Sequence, residues 1–182
     1  KASRAADDRG NGISAARIFA ELSEAIPADA IIPVDVGNNT YSFGRYFESK
    51  GQDVIMSGYL GSIGFALPAS LGAWASAALG QQIVAVGGDG GAGQYLAELT
   101  TLVKYNMDVT YVILNNGQLG KISKEQKAGN WLVWETNLVN PNFSEFARNC
   151  GLWGRRVEHV DDLRGAIDEG IAHNGPALVE IM

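Results

Sequence analysis

The stretch Val86-Gly87-Gly88-Asp89-Gly90-Gly91-Ala92-Gly93 decides the fold of this chain, because it joins a strand predicted at 83–87 to a helix predicted from Ala92 onward. A glycine-rich turn of this kind points main-chain N–H groups outward, and the helix dipole favours negative charge there. The segment therefore predicts a cradle for phosphate groups. Asp89 would repel a phosphate placed directly beside it, so a divalent cation between the two anions is expected.

A second polar turn follows at the end of the next strand. Asn115-Asn116-Gly117-Gln118 closes the strand predicted at 109–114, and Asn116 lies 27 positions after Asp89. One βα unit separates the two turns, so their strand ends can lie side by side in a parallel sheet. Together they offer carboxylate and amide oxygens, the hard ligands that Mg²⁺ prefers.

Two alternatives compete with this interpretation of the glycine run. Gly88 to Gly93 also fits the GxGxxG pattern of dinucleotide-binding folds. That pattern expects an acidic residue about 20 positions on, for a ribose hydroxyl, whereas the next strand ends in Asn115 and Asn116. A glycine turn without any ligand is the simplest alternative, but it leaves the pairing of Asp89 with Asn116 unexplained.

Apolar strands alternate with helical patterns along the chain. Strands are predicted at 30–36, 54–56, 83–87, 109–114, 155–157 and 177–181, and helices at 13–25, 41–48, 66–79, from 92, and at 119–127, 143–150 and 161–172. Continuous apolar runs are typical of strands that are buried on both faces. We predict an α/β fold with a mainly parallel sheet, helices on both faces, and ligands at the C-terminal strand ends.

Composition indicates one globular domain. The 182 residues are 46% hydrophobic and 19% charged, which suffices for a sizeable core. A net charge of −6 argues against nucleic acid or an anionic membrane as partner. The apolar stretch 63–79 contains Pro68 and is shorter than the roughly 20 apolar residues of a membrane span. The single cysteine, Cys150, favours a reducing, cytoplasmic location.

The two ends of the chain differ in character. Residues 1–12 are charged, contain glycine and hold few apolar side chains, so they are predicted to be a linker or interdomain tail. Residues 13–182 carry the predicted strands and helices and are expected to form the folded domain.

The motifs resemble those of thiamine-diphosphate enzymes. Gly88-Asp89-Gly90, with Asn115-Asn116 starting 25 positions after Gly90, is similar to the GDG…NN signature of that family. The segments 61–72 and 115–120, and Asp35-Val36-Gly37, resemble the decarboxylase, acetolactate synthase and pyruvate oxidase group. The resemblance runs from about Ile13 to Met182 and implies the C-terminal, diphosphate-binding domain of a larger enzyme.

The resemblance implies a role for particular residues. Mg²⁺ would be bound by Asp89, Asn116 and the main-chain oxygen of Gln118. The cofactor would be bound by Asn38, Asn39, Thr40, Gly61, Ser62, Ile63, Gly88, Asp89, Gly90, Gly91, Asn116, Gln118, Leu119 and Gly120. Many relatives carry Ser at the Gly91 position, so one side-chain contact is expected to be missing here. An ordinary Asn-rich turn is the alternative for Asn38, Asn39 and Thr40.

Two side chains are candidates for the catalytic step. Relatives place a large apolar residue, here Ile63, under the cofactor and so hold it bent, which is a positioning effect; an ordinary core isoleucine is the alternative. Lys121 stands where relatives carry a bulky apolar residue. It would either recognise a substrate carboxylate or lie in solvent on a rotated helix.

By resemblance, the complete enzyme would decarboxylate a 2-oxo acid such as pyruvate, and would be similar to pyruvate oxidase or acetolactate synthase, with FAD as a further possible cofactor. In that family an activating glutamate lies in a separate pyrimidine-binding domain, and no segment of this chain resembles that domain. A pyrimidine-binding domain or subunit is therefore the expected partner, in a homo-oligomer. A non-catalytic module that lends its metal site to a partner is the alternative.

Overall fold

A computed structural model describes residues 12–182. Its helices are α1 (Ala15–Ala25), α2 (Asn38–Tyr46), α3 (Ala66–Ser76), α4 (Asp89–Ala92), α5 (Leu99–Lys104), α6 (Gly120–Ala128), α7 (Phe143–Cys150) and α8 (Val160–Ala172), with a 3₁₀ turn at Leu96–Glu98. Its strands are β1 (Ile31–Val34), β2 (Asp53–Met56), β3 (Ile83–Gly88), β4 (Val109–Leu114), β5 (Trp153–Val157) and β6 (Ala177–Ile181). The predicted tail at 1–12 lies outside the described residues except for Gly12.

The six strands form one sheet in the order β2-β1-β3-β4-β6-β5, and every pair of neighbours is parallel. This confirms the predicted α/β class. Strand β2 lies on one side of β1, at the edge of the sheet, whereas β3 and then β4 lie on the opposite side of β1. The strand order therefore reverses between β1 and β3, and a crevice opens at their C-terminal ends.

Helices cover both faces of the sheet because the central strands β1, β3, β4 and β6 are buried on both sides. In β3, Val84 and Val86 face the layer of α1, α2 and α8, whereas Ile83 and Ala85 face the layer of α3, α5 and α7. Each face has its own buried core. The largest fully buried side chains are Phe19, Leu22, Ile26, Ile32, Leu163 and Ile167 on the first face and Leu67, Leu99, Leu102, Tyr111, Ile113 and Phe143 on the second.

Local signals in the sequence set several helix ends. The Ser14 hydroxyl accepts a hydrogen bond from the Arg17 amide (3.3 Å) and begins α1, as a polar N-cap does. The Asn142 side chain accepts from the Glu145 amide (3.0 Å) and begins α7. Gly151, in the left-handed conformation with φ +100°, ends that helix, as glycine commonly does.

Several predicted boundaries were wrong: the helix predicted at 66–79 ends at Ser76, and the strand predicted at 30–36 covers only Ile31–Val34. Two further differences lie close to the glycine turn and to Asn38. The helix expected from Ala92 is broken into α4, the 3₁₀ turn and α5, since Gly91 and Gly93 are weak helix formers. Helix α2 begins at Asn38 and not at Tyr41, because the Thr40 hydroxyl accepts a hydrogen bond from the Gly37 amide (3.1 Å) and closes the first turn. Asn38, Asn39 and Thr40 are therefore helical residues and not a loop.

Within residues 12–182, no helix combines the length and the apolar character that crossing a membrane requires. The apolar stretch 63–79 contains α3, which has only 11 residues.

Candidate active site

A cavity of about 450 Å³ lies at the crevice where the strand order reverses. The turns that follow β1, β3 and β4 all contribute to its wall, as parallel strands predict. Asn38 and Asn39 come from the start of α2, Asp89 from the start of α4, and Asn116 and Gln118 from the turn after β4. The tertiary structure thus brings together the two halves of the signature, which the sequence places one βα unit apart.

Close packing leaves no room for a side chain at Gly90 or Gly91, the two glycines that follow Asp89. Gly88, Gly90 and Gly91 line the cavity, and none of them has a positive φ. A Cβ at Gly90 would lie 2.5 Å from Leu119 Cδ2, and one at Gly91 would lie 1.8 Å from Asp35 Oδ2. Because these positions carry no side chain, the main chain of the turn forms the floor of the cavity.

Asp89 is the buried acid of the cavity wall. It begins α4 and is only 3% exposed. Burial raises the pKa of its carboxyl, while the hydrogen bond from Asn140 and main-chain amides oppose the shift. The Asn140 side-chain amide donates to Asp89 Oδ2 over 2.7 Å. Asp89 is thus a fixed carboxylate at the wall of a cavity, the hard oxygen donor that a divalent cation binds.

Hydrogen bonds within the turn after β4 fix the orientation of two oxygen atoms, Asn116 Oδ1 and the Gln118 carbonyl oxygen. Asn116 Oδ1 accepts from the Gln118 amide (3.1 Å), and the Gln118 carbonyl accepts from the Gly120 amide (2.8 Å). Gly117 between them has φ +65°, which favours glycine. Each of the two oxygens keeps a second lone pair, so both remain able to bind a metal ion. Leu119, Gly120 and Lys121 continue the same wall.

The three polar side chains at the start of α2 differ in what they bind. Asn39 and Thr40 bind the main chain that directly follows β1, and Asn38 binds a lysine of α6. The Asn39 amide donates to the Asp35 carbonyl (2.8 Å), and the Thr40 hydroxyl donates to the same carbonyl. These bonds hold the turn together, and Thr40 is not in the cavity wall. Asn38 does line the cavity, and its side-chain oxygen accepts from the Lys124 ammonium.

Ile63 and Gly61 complete the cavity wall beside the glycine turn. Ile63 is 36% exposed, which sets it apart from an ordinary core isoleucine. Gly61 and Gly64 both have positive φ (+64° and +87°) and shape the loop that carries Ile63. Ser62 is exposed and does not line the cavity; its amide donates to Ser57 Oγ (3.2 Å).

Lys121 lines the cavity, and its ammonium group is paired with a carboxylate of the same helix. Its ammonium forms an ion pair with Glu125 one turn along α6 and stands 5.1 Å from the centre of the Tyr41 ring. The hydrogen bond to Glu125 is the main cause that raises the pKa of Lys121. The side chain keeps solvent access, with 32% of it exposed.

A buried polar network extends the site beyond the predicted residues. Asn140 also donates to Asn115 Oδ1 (3.0 Å), and the Asn115 amide donates to Glu180 Oε1 (2.7 Å). Glu180 is fully buried, is paired with Arg156 (3.0 Å), and also accepts from the Ser144 amide (3.1 Å). Sequence reasoning missed Asn140, Glu180 and Arg156; a single acid inside the apolar strand 177–181 was the available signal.

Comparison with known proteins agrees with this arrangement. A family profile described as "Thiamine pyrophosphate enzyme, C-terminal TPP binding domain" matches residues 35–181; thiamine pyrophosphate is another name for thiamine diphosphate. YdaP of Bacillus subtilis, named as a thiamine pyrophosphate-containing protein, is 36% identical over 91% of this chain and 29% of its own length. Acetolactate synthase 1 of Nicotiana tabacum is 33% identical over 88% of this chain and 26% of its own length.

A solved structure shows the same fold. The thiamine diphosphate-dependent 4-hydroxybenzoylformate decarboxylase of Rhodococcus jostii RHA1 superposes with a TM-score of 0.87 at 26% identity, covering 97% of this chain and 33% of that one. The chain thus spans only about a quarter to a third of the length of these relatives. With its parallel sheet, its cavity at the strand reversal and the match over residues 35–181, the chain belongs to the family of C-terminal thiamine pyrophosphate-binding domains of thiamine pyrophosphate enzymes.

Proposed function

We propose that this chain binds the diphosphate end of thiamine diphosphate through Mg²⁺, as one domain of an enzyme that decarboxylates a 2-oxo acid such as pyruvate. One observation carries the proposal: the buried carboxylate of Asp89 meets a floor of side-chain-free glycines in one cavity. The carboxylate suits a cation, and the glycine floor leaves room for a diphosphate. Asn116 Oδ1 and the Gln118 carbonyl add two neutral oxygen ligands.

The donor set fits Mg²⁺ bound together with a diphosphate. Among residues 12–182 no cluster of three or more His, Cys, Asp and Glu side chains exists that would hold a metal ion alone. One carboxylate, one amide oxygen and one carbonyl leave several octahedral positions for diphosphate oxygens and water, as is usual for Mg²⁺. The described residues therefore favour a cation that bridges protein and cofactor.

The side chains of the cavity would position and shield the cofactor. When bound, thiamine diphosphate supplies the electron sink for the decarboxylation. Ile63 offers an apolar surface beside the glycine turn, and Leu119 closes the wall next to Gly90. Such a surface would hold the cofactor in one shape and keep water away from it, and positioning of this kind lowers the barrier by several kcal/mol.

A partner domain would complete the pocket. Large apolar side chains are exposed in the segments that flank the cavity wall: Tyr59 and Leu60 before Gly61, and Trp131, Leu132 and Trp134 after α6. Exposed large apolar side chains beside a cavity are typical of a protein interface. We propose that it contacts the pyrimidine-binding domain, which would also supply the activating glutamate, within a homo-oligomer.

The subgroup is proposed on the motifs alone. Residues 115–120 and Gln126-Lys127-Ala128-Gly129 favour an enzyme that is similar to pyruvate oxidase or acetolactate synthase, with FAD as a further cofactor in the first case. The matches to acetolactate synthases agree with this grouping. If the full-length protein lacks a pyrimidine-binding domain, a non-catalytic cofactor-binding module becomes the better description.

Calorimetry on the complete protein tests the metal bridge. After chelation and dialysis, thiamine diphosphate should bind measurably only when Mg²⁺ is restored. Asp89→Ala should abolish most of this binding, because it removes the one charged ligand. Asp53→Ala, which removes an exposed acid from the edge strand β2, is the control and should bind as the wild type does. Equal affinity with and without Mg²⁺ would refute the proposal.

A further inference from the structure

The Asp35 carboxyl is fully buried directly behind the cavity wall, and the proposed function gives it no task. It follows the last residue of β1. Its Oδ1 atom accepts three main-chain hydrogen bonds, from Val36 (2.7 Å), Gly64 (2.7 Å) and Phe65 (2.9 Å). Two of these donors belong to the residues that directly follow Ile63, so Asp35 holds the loop that carries Ile63 from 29 and 30 positions away in the sequence.

The second carboxyl oxygen points at the glycine turn. Asp35 Oδ2 is buried and has no hydrogen-bond partner among the described residues. A Cβ built on Gly91 would lie 1.8 Å from this oxygen, a distance that no side chain can occupy. As long as Asp35 adopts this position, residue 91 must be glycine.

Gly91 and Ile63 belong to neighbouring parts of the same cavity wall. A Cβ at Gly90, the neighbour of Gly91, would stand 3.8 Å from Ile63 Cδ1. Asp35 touches the Ile63 loop with one carboxyl oxygen and the glycine turn with the other. The Asp35 side chain therefore fixes the position of the Ile63 loop relative to the glycine turn.

We propose that Asp35 and Gly91 form a complementary pair in which the Asp35 side chain fills the space of the missing side chain at position 91 and so positions Ile63 against the diphosphate floor. Asp35 is a positioning residue in this account and touches no cofactor atom. The inference rests on the proposed function for its consequence in cofactor binding. The pairing itself is a property of the cofactor-free protein and is measured separately.

The geometry also predicts which replacement restores the pair. The Gly64 amide nitrogen lies 3.0 Å from a Cβ built on Gly91. A serine at 91 would clash with Asp35, but its hydroxyl could accept from the Gly64 amide once the Asp35 side chain is removed. Gly91→Ser should therefore loosen the Ile63 loop and weaken cofactor binding when Asp35 is present. In the Asp35→Ala variant, the same substitution should improve both properties.

The test uses Asp35→Ala, Gly91→Ser and the double variant of the complete protein, with two measurements. Hydrogen exchange at the Gly64 and Phe65 amides is followed without cofactor, and the dissociation constant of thiamine diphosphate is measured with Mg²⁺. Each single variant should exchange these amides at least about tenfold faster and bind the cofactor at least about tenfold more weakly. The double variant should recover part of both losses.

A control variant distinguishes the specific effect of Asp35 from the general effect of losing a buried hydrogen bond. Thr110→Val removes a buried hydrogen bond to the Gly170 carbonyl (2.9 Å) at the other end of β4, and should change neither measurement. If Gly91→Ser does not fold, Gly91→Ala is compared in both backgrounds.

Two results would overturn the pairing: unchanged amide exchange in Asp35→Ala, or equal effects of the position-91 variant with and without Asp35. If wild-type protein binds no cofactor, the proposed function fails, while the exchange data still decide the pairing.

Discussion

The Asn140 side-chain amide reaches both halves of the signature at once: it donates to Asp89 Oδ2 over 2.7 Å and to Asn115 Oδ1 over 3.0 Å. It lies 51 positions from Asp89 and 25 from Asn115. One carboxylate oxygen of Asp89 is thereby held in place, and the carboxylate keeps further lone pairs that can bind a cation. Asn140 acts as a support behind the proposed metal ligands, a role in which substitution typically costs 10- to 100-fold in metal affinity.

We expect Asn140→Ala to weaken Mg²⁺-dependent binding of thiamine diphosphate by about 10-fold or more, since Asp89 loses its fixed orientation. Calorimetry at saturating and limiting Mg²⁺ measures the loss. Asn137→Ala is the matched control, because among the described residues its side chain accepts a hydrogen bond from the Gln118 side-chain amide (3.2 Å) and not from a proposed metal ligand atom. Similar losses in the two variants would contradict a specific role for Asn140.

Removing the buried Glu180 carboxylate should destabilise the domain. Glu180→Ala leaves the Asn115 amide and the Ser144 N–H without their acceptor and Arg156 without its buried partner. We expect a loss of about 2–4 kcal/mol in the free energy of unfolding, measured by urea denaturation. Glu158→Ala removes the exposed acid that pairs with the same arginine and should cost less than about 1 kcal/mol. Equal costs would show that burial of Glu180 is irrelevant.

Lys121 is expected to help bind an anionic substrate, because its exposed ion pair with Glu125 is weak and can be exchanged for a substrate carboxylate. In the complete enzyme, Lys121→Met should raise KM for anionic oxo acids more than it lowers kcat. Glu125→Gln frees the ammonium and should lower KM. Unchanged KM in both variants, with pyruvate and with longer acidic oxo acids, would assign Lys121 to the solvated surface.

Asp35 should make the stability of the cofactor-free protein depend on pH. Burial raises the pKa of its carboxyl above the usual 3.8, against the main-chain hydrogen bonds from Val36, Gly64 and Phe65. A raised folded-state pKa means that this contribution to stability is fully present below pH 3.8 and is lost as pH rises through the folded-state value.

The measurement compares wild type with Asp35→Asn in urea between about pH 4 and pH 8, with chelator present. The free energy of unfolding should fall with rising pH more steeply in the wild type than in the variant. Burial raises the Asp89 pKa as well, so part of the slope should persist in Asp35→Asn and disappear in the double variant with Asp89→Asn. Parallel curves for wild type and Asp35→Asn would contradict the assignment.

The sequence alone determined the class of the fold and the centre of the site. Alternating apolar strands and helical patterns predict a parallel sheet, because burial on both faces leaves a continuous apolar run. The glycines around Asp89 and the turn at Asn115–Asn116 are local signals, and parallel strands bring such turns to the same edge. Hence Asp89, Asn116, Gln118 and the glycine turn could be placed together without coordinates.

Only the tertiary structure decided which side chains lie behind the proposed metal ligands. Asn140, Glu180 and Asp35 meet the site across long sequence separations, and no local pattern specifies which distant amide or carboxyl fills a given buried space. The same limit explains why Thr40 and Ser62 lie outside the cavity wall although their neighbours line it: particular hydrogen bonds set the first turn of α2 and the loop that contains Ser62. The requirement for glycine at 91 likewise comes from the Asp35 carboxyl packed against it, a contact between distant segments that exists only once the sheet has formed.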